Sequence, residues 1–291
     1  MKKILFKGCG TAISTPFCEN GVNTEEFSRL IENQIQNKVD AIIVCGTTGE
    51  SSTMTEEEKI TAIKCAIETS NKRVPIIVGT GSNNTSQAIH NSILAEKLGA
   101  DGLLVVTPYY NKCTQQGLIK HYEQIANSVN LPIILYSVSS RTGVNIEPQT
   151  CLELSKIENI VAIKEASGNI SQIAEISRLC GDNLHIYSGN DDQVIPILSL
   201  GGIGVISVLS NVFPEFTHNM VMNFLDGNVI EAKSMQLKCL PLVKALFSET
   251  NPIPVKAALN MLGYSFGTPR LPLTELTDKN KEKLKDLLFN F

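Results

Sequence analysis

The sequence lacks any apolar run of the roughly 20 residues that a membrane-spanning helix needs. Two lysines follow the initial methionine, but the apolar stretch after them, Ile4–Phe6, is too short for the core of a signal peptide. We therefore expect a protein that works in the cytoplasm and has no membrane partner.

The sequence also lacks an excess of positive charge. The chain has 25 lysines and arginines against 29 aspartates and glutamates, which gives a formal net charge of −4. No basic run is interleaved with aromatic residues, whereas nucleic-acid-binding proteins depend on a basic surface that attracts phosphates. We therefore expect no nucleic-acid partner.

Spacings typical of metal and nucleotide sites are missing as well. The eight cysteines include no Cys-x-x-Cys pair, and the four histidines include no His-Glu-x-x-His motif. Neither Gly-x-x-x-x-Gly-Lys nor Gly-x-Gly-x-x-Gly occurs. In a cytoplasmic protein we expect the cysteines to be reduced thiols, and we expect no metal site.

What the chain does contain is a repeated alternation of short apolar runs with helical stretches. The runs are mostly β-branched and apolar on both faces, which is typical of parallel strands buried on both sides. They cover residues 11–15, 41–45, 75–79, 102–106, 132–136, 160–164, 184–188 and 203–207. Helices are predicted over residues 24–37, 55–70, 85–98, 115–128, 147–155 and 171–179, several of them beginning with a capping residue.

Strand–helix units repeated eight times within about 210 residues favour a closed (β/α)8 TIM barrel over a doubly wound sheet. More helices follow than one barrel unit needs, at residues 216–225, 229–247, 253–262 and 278–289. We therefore predict an α/β fold with a catalytic barrel over residues 1–224 and a small C-terminal helical domain over residues 225–291.

Active sites of such barrels lie at the carboxyl ends of the strands, so polar residues that end the apolar runs are candidates. Lys164 ends the sixth run. A charged lysine is costly in a buried strand, and a neutral amine is what Schiff-base chemistry requires. The alternative is an ion pair with a carboxylate, although Glu165 faces the other side of the strand.

Three other groups have two interpretations each. Tyr136 ends the fifth run and either transfers protons or is a core tyrosine with a satisfied hydroxyl. Gly46–Ser51 holds a ligand through its glycines and the hydroxyls of Thr47 and Thr48, or is a plain turn with capping residues. Arg141 binds a substrate carboxylate with its forked guanidinium, or is a solvated surface residue.

Tyr109 and Tyr110 follow the fourth run, either as part of the pocket or as an oligomer contact.

Together, the motifs at the strand ends resemble the pyruvate-dependent class I aldolases of the N-acetylneuraminate lyase and dihydrodipicolinate synthase family. The synthase branch matches best, over nearly the whole chain. The matching motifs are Gly46–Ser51, Gly79–Asn83, Thr107–Lys112, Arg141–Gly143, Ile163–Gly168, Ser188–Asp191, Gly201–Ser207, Asn251–Lys256 and Arg270–Leu273.

The resemblance implies a catalytic machinery. Lys164 is expected to form the Schiff base with pyruvate, and Tyr136 to donate and accept protons. Thr48 and Tyr110 are the implied relay partners of this tyrosine, with Tyr110 reaching across a dimer interface. The family's covalent pyruvate imine needs no further cofactor and no metal.

The resemblance also implies the substrates, pyruvate and L-aspartate 4-semialdehyde, at the entry to diaminopimelate and lysine. Thr47 and Thr48 are expected to hold the pyruvate carboxylate, and Arg141 the carboxylate of the semialdehyde. Gly189 and Ile206 are expected to line the pocket. The implied assembly is a homo-oligomer, at least a dimer, with a tetramer as the family's common form.

Two departures from the family pattern stand out. The family usually has Tyr-Asn-Val-Pro before the Arg-Thr-Gly loop, where this chain has Ser137 and Ser139. Loss of the proline frees the loop by about 1 kcal/mol of entropy and predicts a looser Arg141. Lysine-inhibited members place a histidine and a glutamate where this chain has Lys59 and Gln87, which predicts weak or absent lysine feedback.

Two other functions are compatible with parts of this pattern. A sister aldolase acting on N-acetylneuraminate or a 2-keto-3-deoxy acid would keep Lys164 and Tyr136 but would generally lack the Arg-Thr-Gly loop. A catalytically silent paralogue would bind pyruvate or serve only as a subunit. The retained set of Lys164, Tyr136, Thr47, Thr48 and Tyr110 argues against a silent protein.

Overall fold

The fold was determined as a computed structural model that describes residues 2–291. Over these residues the strands are β1 (Gly8–Ala12), β2 (Phe17–Cys18), β3 (Gly21–Val22), β4 (Ala41–Val44), β5 (Ile76–Gly79), β6 (Gly102–Val106), β7 (Ile133–Ser137), β8 (Ile160–Glu165), β9 (His185–Ser188) and β10 (Gly204–Ser207). Eight of them form a closed barrel in the order β1-β10-β9-β8-β7-β6-β5-β4, while β2 and β3 form a separate pair. The predicted (β/α)8 barrel is confirmed.

Helices follow the barrel strands and continue beyond the last one. They are α1 (Thr24–Gln36), α2 (Glu56–Ser70), α3 (Thr85–Leu98), α4 (Gln115–Ala126), α5 (Ser139–Thr142), α6 (Pro148–Ser155), α7 (Ile170–Cys180), α8 (Val194–Ser199), α9 (Pro214–Leu225), α10 (Val229–Leu246), α11 (Ile253–Met261) and α12 (Asp278–Phe289). The short helices α5 and α8 and the β2–β3 hairpin have no counterpart in the sequence prediction. Each is too short for a local pattern to reveal it.

Local sequence explains most of these elements. Every residue of β4 and β8 is buried, as expected for parallel strands covered on both faces. The start of α2 is a capping box, in which the backbone N–H of Glu58 donates to the Thr55 hydroxyl and the Thr55 N–H donates to the Glu58 carboxylate.

The first strand departs from the sequence prediction. It covers Gly8–Ala12 and pairs in parallel with β4, with Thr11 opposite Ile42. The prediction of residues 11–15 was wrong because the glycine and cysteine residues at the start of β1 carry no strong strand signal. Beyond the strand, the Ser14 N–H donates to the side chain of Asn211 at 2.9 Å instead of to a neighbouring strand.

The chain comprises two compact units. The first contains Ile77–Ile206 together with the N-terminal residues up to Lys7. The second contains Gly8–Ile76 and Ser207–Phe291, and within it α10 packs against α9 and α12. The division into a barrel over residues 1–224 and a helical domain over residues 225–291 stays a prediction.

Among residues 2–291, no helix combines the length and the apolarity that a membrane crossing requires.

The eight cysteines are all free thiols. Cys18 is exposed, Cys113 is half-buried and the other six are buried. Burial raises the pKa of Cys45 to about 12 and that of Cys180 to about 11. Because only a thiolate reacts quickly, the buried cysteines should be inert in the folded protein.

We expect 5,5′-dithiobis(2-nitrobenzoic acid) to modify Cys18 rapidly in the native protein, and all eight cysteines only after denaturation. The absorbance of the released thionitrobenzoate measures both stages. Cys18→Ser should remove the rapid phase. A rapid phase that survives this substitution would contradict the described burial.

Candidate active site

Lys164 and Tyr136 form the centre of the candidate site. They lie opposite each other in the parallel pairing of β7 with β8, so their side chains point to the same face. Lys164 is 5% exposed and Tyr136 is 7% exposed. The Nζ atom of Lys164 is 4.4 Å from the centre of the Tyr136 ring. The amine of Lys164 and the ring of Tyr136 thus lie side by side, largely buried from solvent.

The alternative of an ion pair between Lys164 and Glu165 is not what the structure contains. Glu165 is paired with Ser137 in the next register position, on the opposite face of β8. Its carboxylate accepts hydrogen bonds from the Ser167 hydroxyl at 2.8 Å and from the Gln172 amide at 3.3 Å. The amine of Lys164 therefore forms no ion pair with Glu165.

Gly189 leaves space beside Lys164. A Cβ atom at this position would lie 3.2 Å from Lys164 Cε and 2.7 Å from the Ala166 Cβ. The Gly189 N–H donates to the Glu165 carbonyl at 2.8 Å, which fixes this close approach. A side chain at position 189 would clash with Ala166 and crowd Lys164. Ile206 is fully buried in β10.

Arg141 lies on the short helix α5 and is exposed. Hydrogen bonds hold the loop around Ser139, whose carbonyl accepts from the Gly143 N–H at 2.8 Å. The Thr107 hydroxyl donates to that of Thr142 at 2.9 Å. These backbone and hydroxyl hydrogen bonds restrict the conformation of the loop that carries Arg141.

Tyr110 has an unusual position. Its side chain is 92% exposed, and its backbone is left-handed with φ of 69°, which is costly for a bulky residue. Tyr109 beside it is also exposed. A large aromatic side chain held outward on strained backbone is typical of a contact with another molecule.

Thr47 and Thr48 belong to the other compact unit, after β4. Thr47 is half-buried and Thr48 is buried. The side-chain amide of Asn251 donates to the Thr48 hydroxyl oxygen at 3.0 Å. Because the amide occupies the oxygen, the hydroxyl keeps its own hydrogen for a different acceptor.

A buried ion pair fixes the loop that carries these threonines. Glu50 accepts from the Lys256 ammonium at 2.6 Å and from the Arg270 backbone N–H at 2.8 Å. Lys256 is fully buried and lies 4.3 Å from the centre of the Phe17 ring. Burial lowers the pKa of Lys256, and the hydrogen bond with Glu50 opposes this shift.

Sequence reasoning missed the roles of Asn251, Lys256 and Gln172. The first two lie in a motif that the sequence analysis identified without assigning it a function. Their partners are about 200 positions away: Asn251 is separated from Thr48 by 203 and Lys256 from Glu50 by 206. Local patterns do not reveal pairs at that separation, whereas a polar residue inside an otherwise apolar helix gives a signal.

Comparison with known proteins gives a consistent result. The sequence model of the Dihydrodipicolinate synthetase family matches residues 5–290. A 4-hydroxy-tetrahydrodipicolinate synthase of Caldicellulosiruptor saccharolyticus is 57% identical over 288 residues, which are 99% of this chain and 97% of that protein. The enzyme of that name from Acetivibrio thermocellus is 55% identical over 291 residues, covering 100% of this chain and 99% of that protein. A dihydrodipicolinate synthase structure from Thermotoga maritima superposes with a TM-score of 0.97 at 43% identity, covering 99% of both chains.

The Glu50–Lys256 pair generates a stability prediction. Lys256→Met leaves a buried carboxylate without its cation and should lower the free energy of unfolding by about 3 kcal/mol. Glu50→Gln together with Lys256→Met should recover much of the loss. Urea denaturation followed by circular dichroism measures both.

The matched control is Lys38→Met, which breaks a half-exposed ion pair with Glu215 at 2.8 Å. It should cost less than about 1 kcal/mol. Equal losses for the Lys38 and Lys256 variants would contradict the importance of the buried pair.

Proposed function

This chain belongs to the dihydrodipicolinate synthetase family, and we propose that it condenses pyruvate with L-aspartate 4-semialdehyde through a Schiff base on Lys164. The product is 4-hydroxy-tetrahydrodipicolinate. The observation that carries this proposal is the buried pair of Lys164 and Tyr136 on adjacent strands, with 4.4 Å between Lys164 Nζ and the Tyr136 ring centre.

The first half of the reaction makes the nucleophile. Lys164 Nζ attacks the keto carbon of pyruvate, and the adduct loses water to form an imine. The imine draws electrons from the adjacent methyl carbon, which then loses a proton to give an enamine. We assign to the Tyr136 phenol, whose ring lies beside the lysine amine, the delivery of the proton that leaves with water and the acceptance of the one from carbon.

The second half joins the two substrates. The enamine carbon attacks the aldehyde carbon of the semialdehyde, and the new alkoxide takes a proton. The amino group of the semialdehyde then adds to the imine carbon and displaces Lys164 Nζ, which closes the ring and frees the enzyme. No outside oxidant or reductant is needed, and we propose no further cofactor and no metal.

We assign to the other candidate residues the roles that the family resemblance implies. The hydroxyl hydrogen of Thr48 is available for a relay because the Asn251 amide occupies its oxygen. Thr47 and Thr48 supply hydroxyls for the pyruvate carboxylate. Arg141 offers the guanidinium for the carboxylate of the second substrate, and Gly189 keeps the lysine side chain unobstructed.

The assembly and the cellular location are further parts of the proposal. Tyr110, with its 92% exposed side chain, is the residue that would complete the relay of a neighbouring subunit. We therefore propose at least a dimer, with a tetramer as the form that the family resemblance favours. Eight free cysteines fit a reducing compartment, so we propose that the enzyme works in the cytoplasm.

Turnover of pyruvate plus L-aspartate 4-semialdehyde, coupled to an NADPH-dependent reductase, tests the proposal. The unmodified protein should convert both substrates. Lys164→Ala should abolish both turnover and the covalent adduct that borohydride traps with pyruvate. Tyr136→Phe should lower kcat by about 100- to 10,000-fold, because it removes the proton donor but keeps the ring.

Lys156→Ala is the matched control, since this lysine is exposed and pairs with Glu153 at 2.7 Å. It should leave turnover and trapping intact. A protein that traps pyruvate on Lys164 but does not convert the semialdehyde would mean that the acceptor is a different aldehyde, such as the aldehyde from which a sugar acid is made.

Lysine feedback gives a separate prediction. Lys59 is half-buried in α2, and Gln87 is exposed in α3, where its amide donates to Asn91 at 2.8 Å. A cation at position 59 repels the ammonium groups of free lysine, and the neutral Gln87 supplies no counter-charge. We expect steady-state rates to be unchanged by sub-millimolar lysine. Inhibition in that range would overturn this prediction.

A further inference from the structure

Behind the face that carries Lys164 and Tyr136 lies a polar network that the proposed mechanism does not use. Ser137 and Glu165 are opposite each other in the register of β7 and β8, and both are fully buried. The Glu165 carboxylate accepts from Ser167 Oγ at 2.8 Å and from Gln172 Nε2 at 3.3 Å. Its partners are therefore neutral groups that donate to it.

Gln172 continues the network from α7 to the loop after β7. Its amide accepts from Asn145 Nδ2 at 2.7 Å and donates to Asn145 Oδ1 at 3.2 Å. The Ser137 hydroxyl donates to the same Oδ1 at 3.2 Å and accepts from the Ile146 backbone N–H at 3.2 Å. We call Ser137, Asn145, Gln172 and Glu165 the amide clamp.

The amide clamp spans the loop that carries Arg141. Ser137 is the last residue of β7, before the loop, and Asn145 is the point where the chain returns after it. Glu165 is the direct chain neighbour of Lys164 on β8. The clamp thus joins both ends of the arginine loop to the strand that carries the amine.

Resting on the proposed function, we infer that the amide clamp is a positioning device that sets the distance between Arg141 and the Lys164 enamine. The clamp thereby controls affinity for the acidic aldehyde, and pyruvate binding is independent of it. Ser137, Asn145, Gln172 and Glu165 are positioning residues, since they act through Arg141 and touch no substrate.

The chemistry of position 172 supports a specific requirement for an amide. Gln172 donates to Glu165 through its nitrogen and accepts from Asn145 through its oxygen, and an amide offers both at once, whereas an ionised carboxylate can only accept. Burial raises the pKa of Glu165, while hydrogen bonds from Ser167 and Gln172 oppose this shift. A second carboxylate at position 172 would face Glu165 without a donor between them.

The experiment compares Gln172→Ala and Gln172→Glu with the unmodified enzyme in the coupled assay. Losing two or three hydrogen bonds of the clamp should raise KM for L-aspartate 4-semialdehyde about tenfold in each variant. KM for pyruvate should stay within about twofold, as should the rate at which borohydride traps pyruvate on Lys164.

A rescue variant separates positioning from general damage. Glu165→Gln combined with Gln172→Glu reverses the carboxylate–amide pair, retains one charge, and leaves an acceptor for Asn145. It should recover most of the semialdehyde affinity that Gln172→Glu loses. The control is Gln36→Ala on α1, where an exposed glutamine also donates to a carboxylate, Glu32, at 3.0 Å. It should behave as the unmodified enzyme.

Two results would overturn the role assigned to the amide clamp. One is an unchanged KM for the semialdehyde in the Gln172 variants. The other is an equal rise in the KM values for the semialdehyde and for pyruvate, with no recovery in the double variant. If Gln172→Ala does not fold, as judged by its thermal melt, Ser137→Ala is assayed in its place by the same criteria. An unmodified protein that traps pyruvate but does not convert the semialdehyde would instead overturn the proposed function, and with it the role assigned to the amide clamp.

Discussion

The register between β7 and β8 is the constraint on which the rest of the candidate site depends. It places Tyr136 opposite Lys164 and Ser137 opposite Glu165. Because successive residues of a strand face opposite sides, a slip of one residue would exchange the amine for a carboxylate on the site face. The close approach of Gly189 to Lys164 and the hydrogen bond from its N–H to the Glu165 carbonyl connect the residue after β9 to the same arrangement.

The second compact unit shows how distant parts of the chain serve one loop. Gly46–Ser51 carries the two threonines, and the segment after α10 supplies Asn251, Lys256 and Arg270 to it. Glu50 forms a buried ion pair with Lys256 within this set, and removing both charges from water has a desolvation cost. The segment after α10 is thus part of the framework of the loop that carries Thr47 and Thr48.

Much of the fold, and the position of Lys164 and Tyr136 at the ends of neighbouring strands, was predictable because these features depend on local patterns. Runs of β-branched residues predict buried parallel strands, and polar residues at their ends predict where a barrel places its chemistry. The start of β1 was missed because Gly8, Cys9 and Gly10 carry no strand signal. The contacts of Gln172 and Lys256 were missed because they depend on which distant residues the fold brings together, and no local period encodes that.

A crystal structure of the protein soaked in pyruvate would test the central claim most directly. We predict continuous electron density from Lys164 Nζ to the former keto carbon of pyruvate, with the Tyr136 hydroxyl within hydrogen-bond distance of the adduct. Pyruvate bound without a covalent link, or joined to another lysine such as Lys256, would contradict the account.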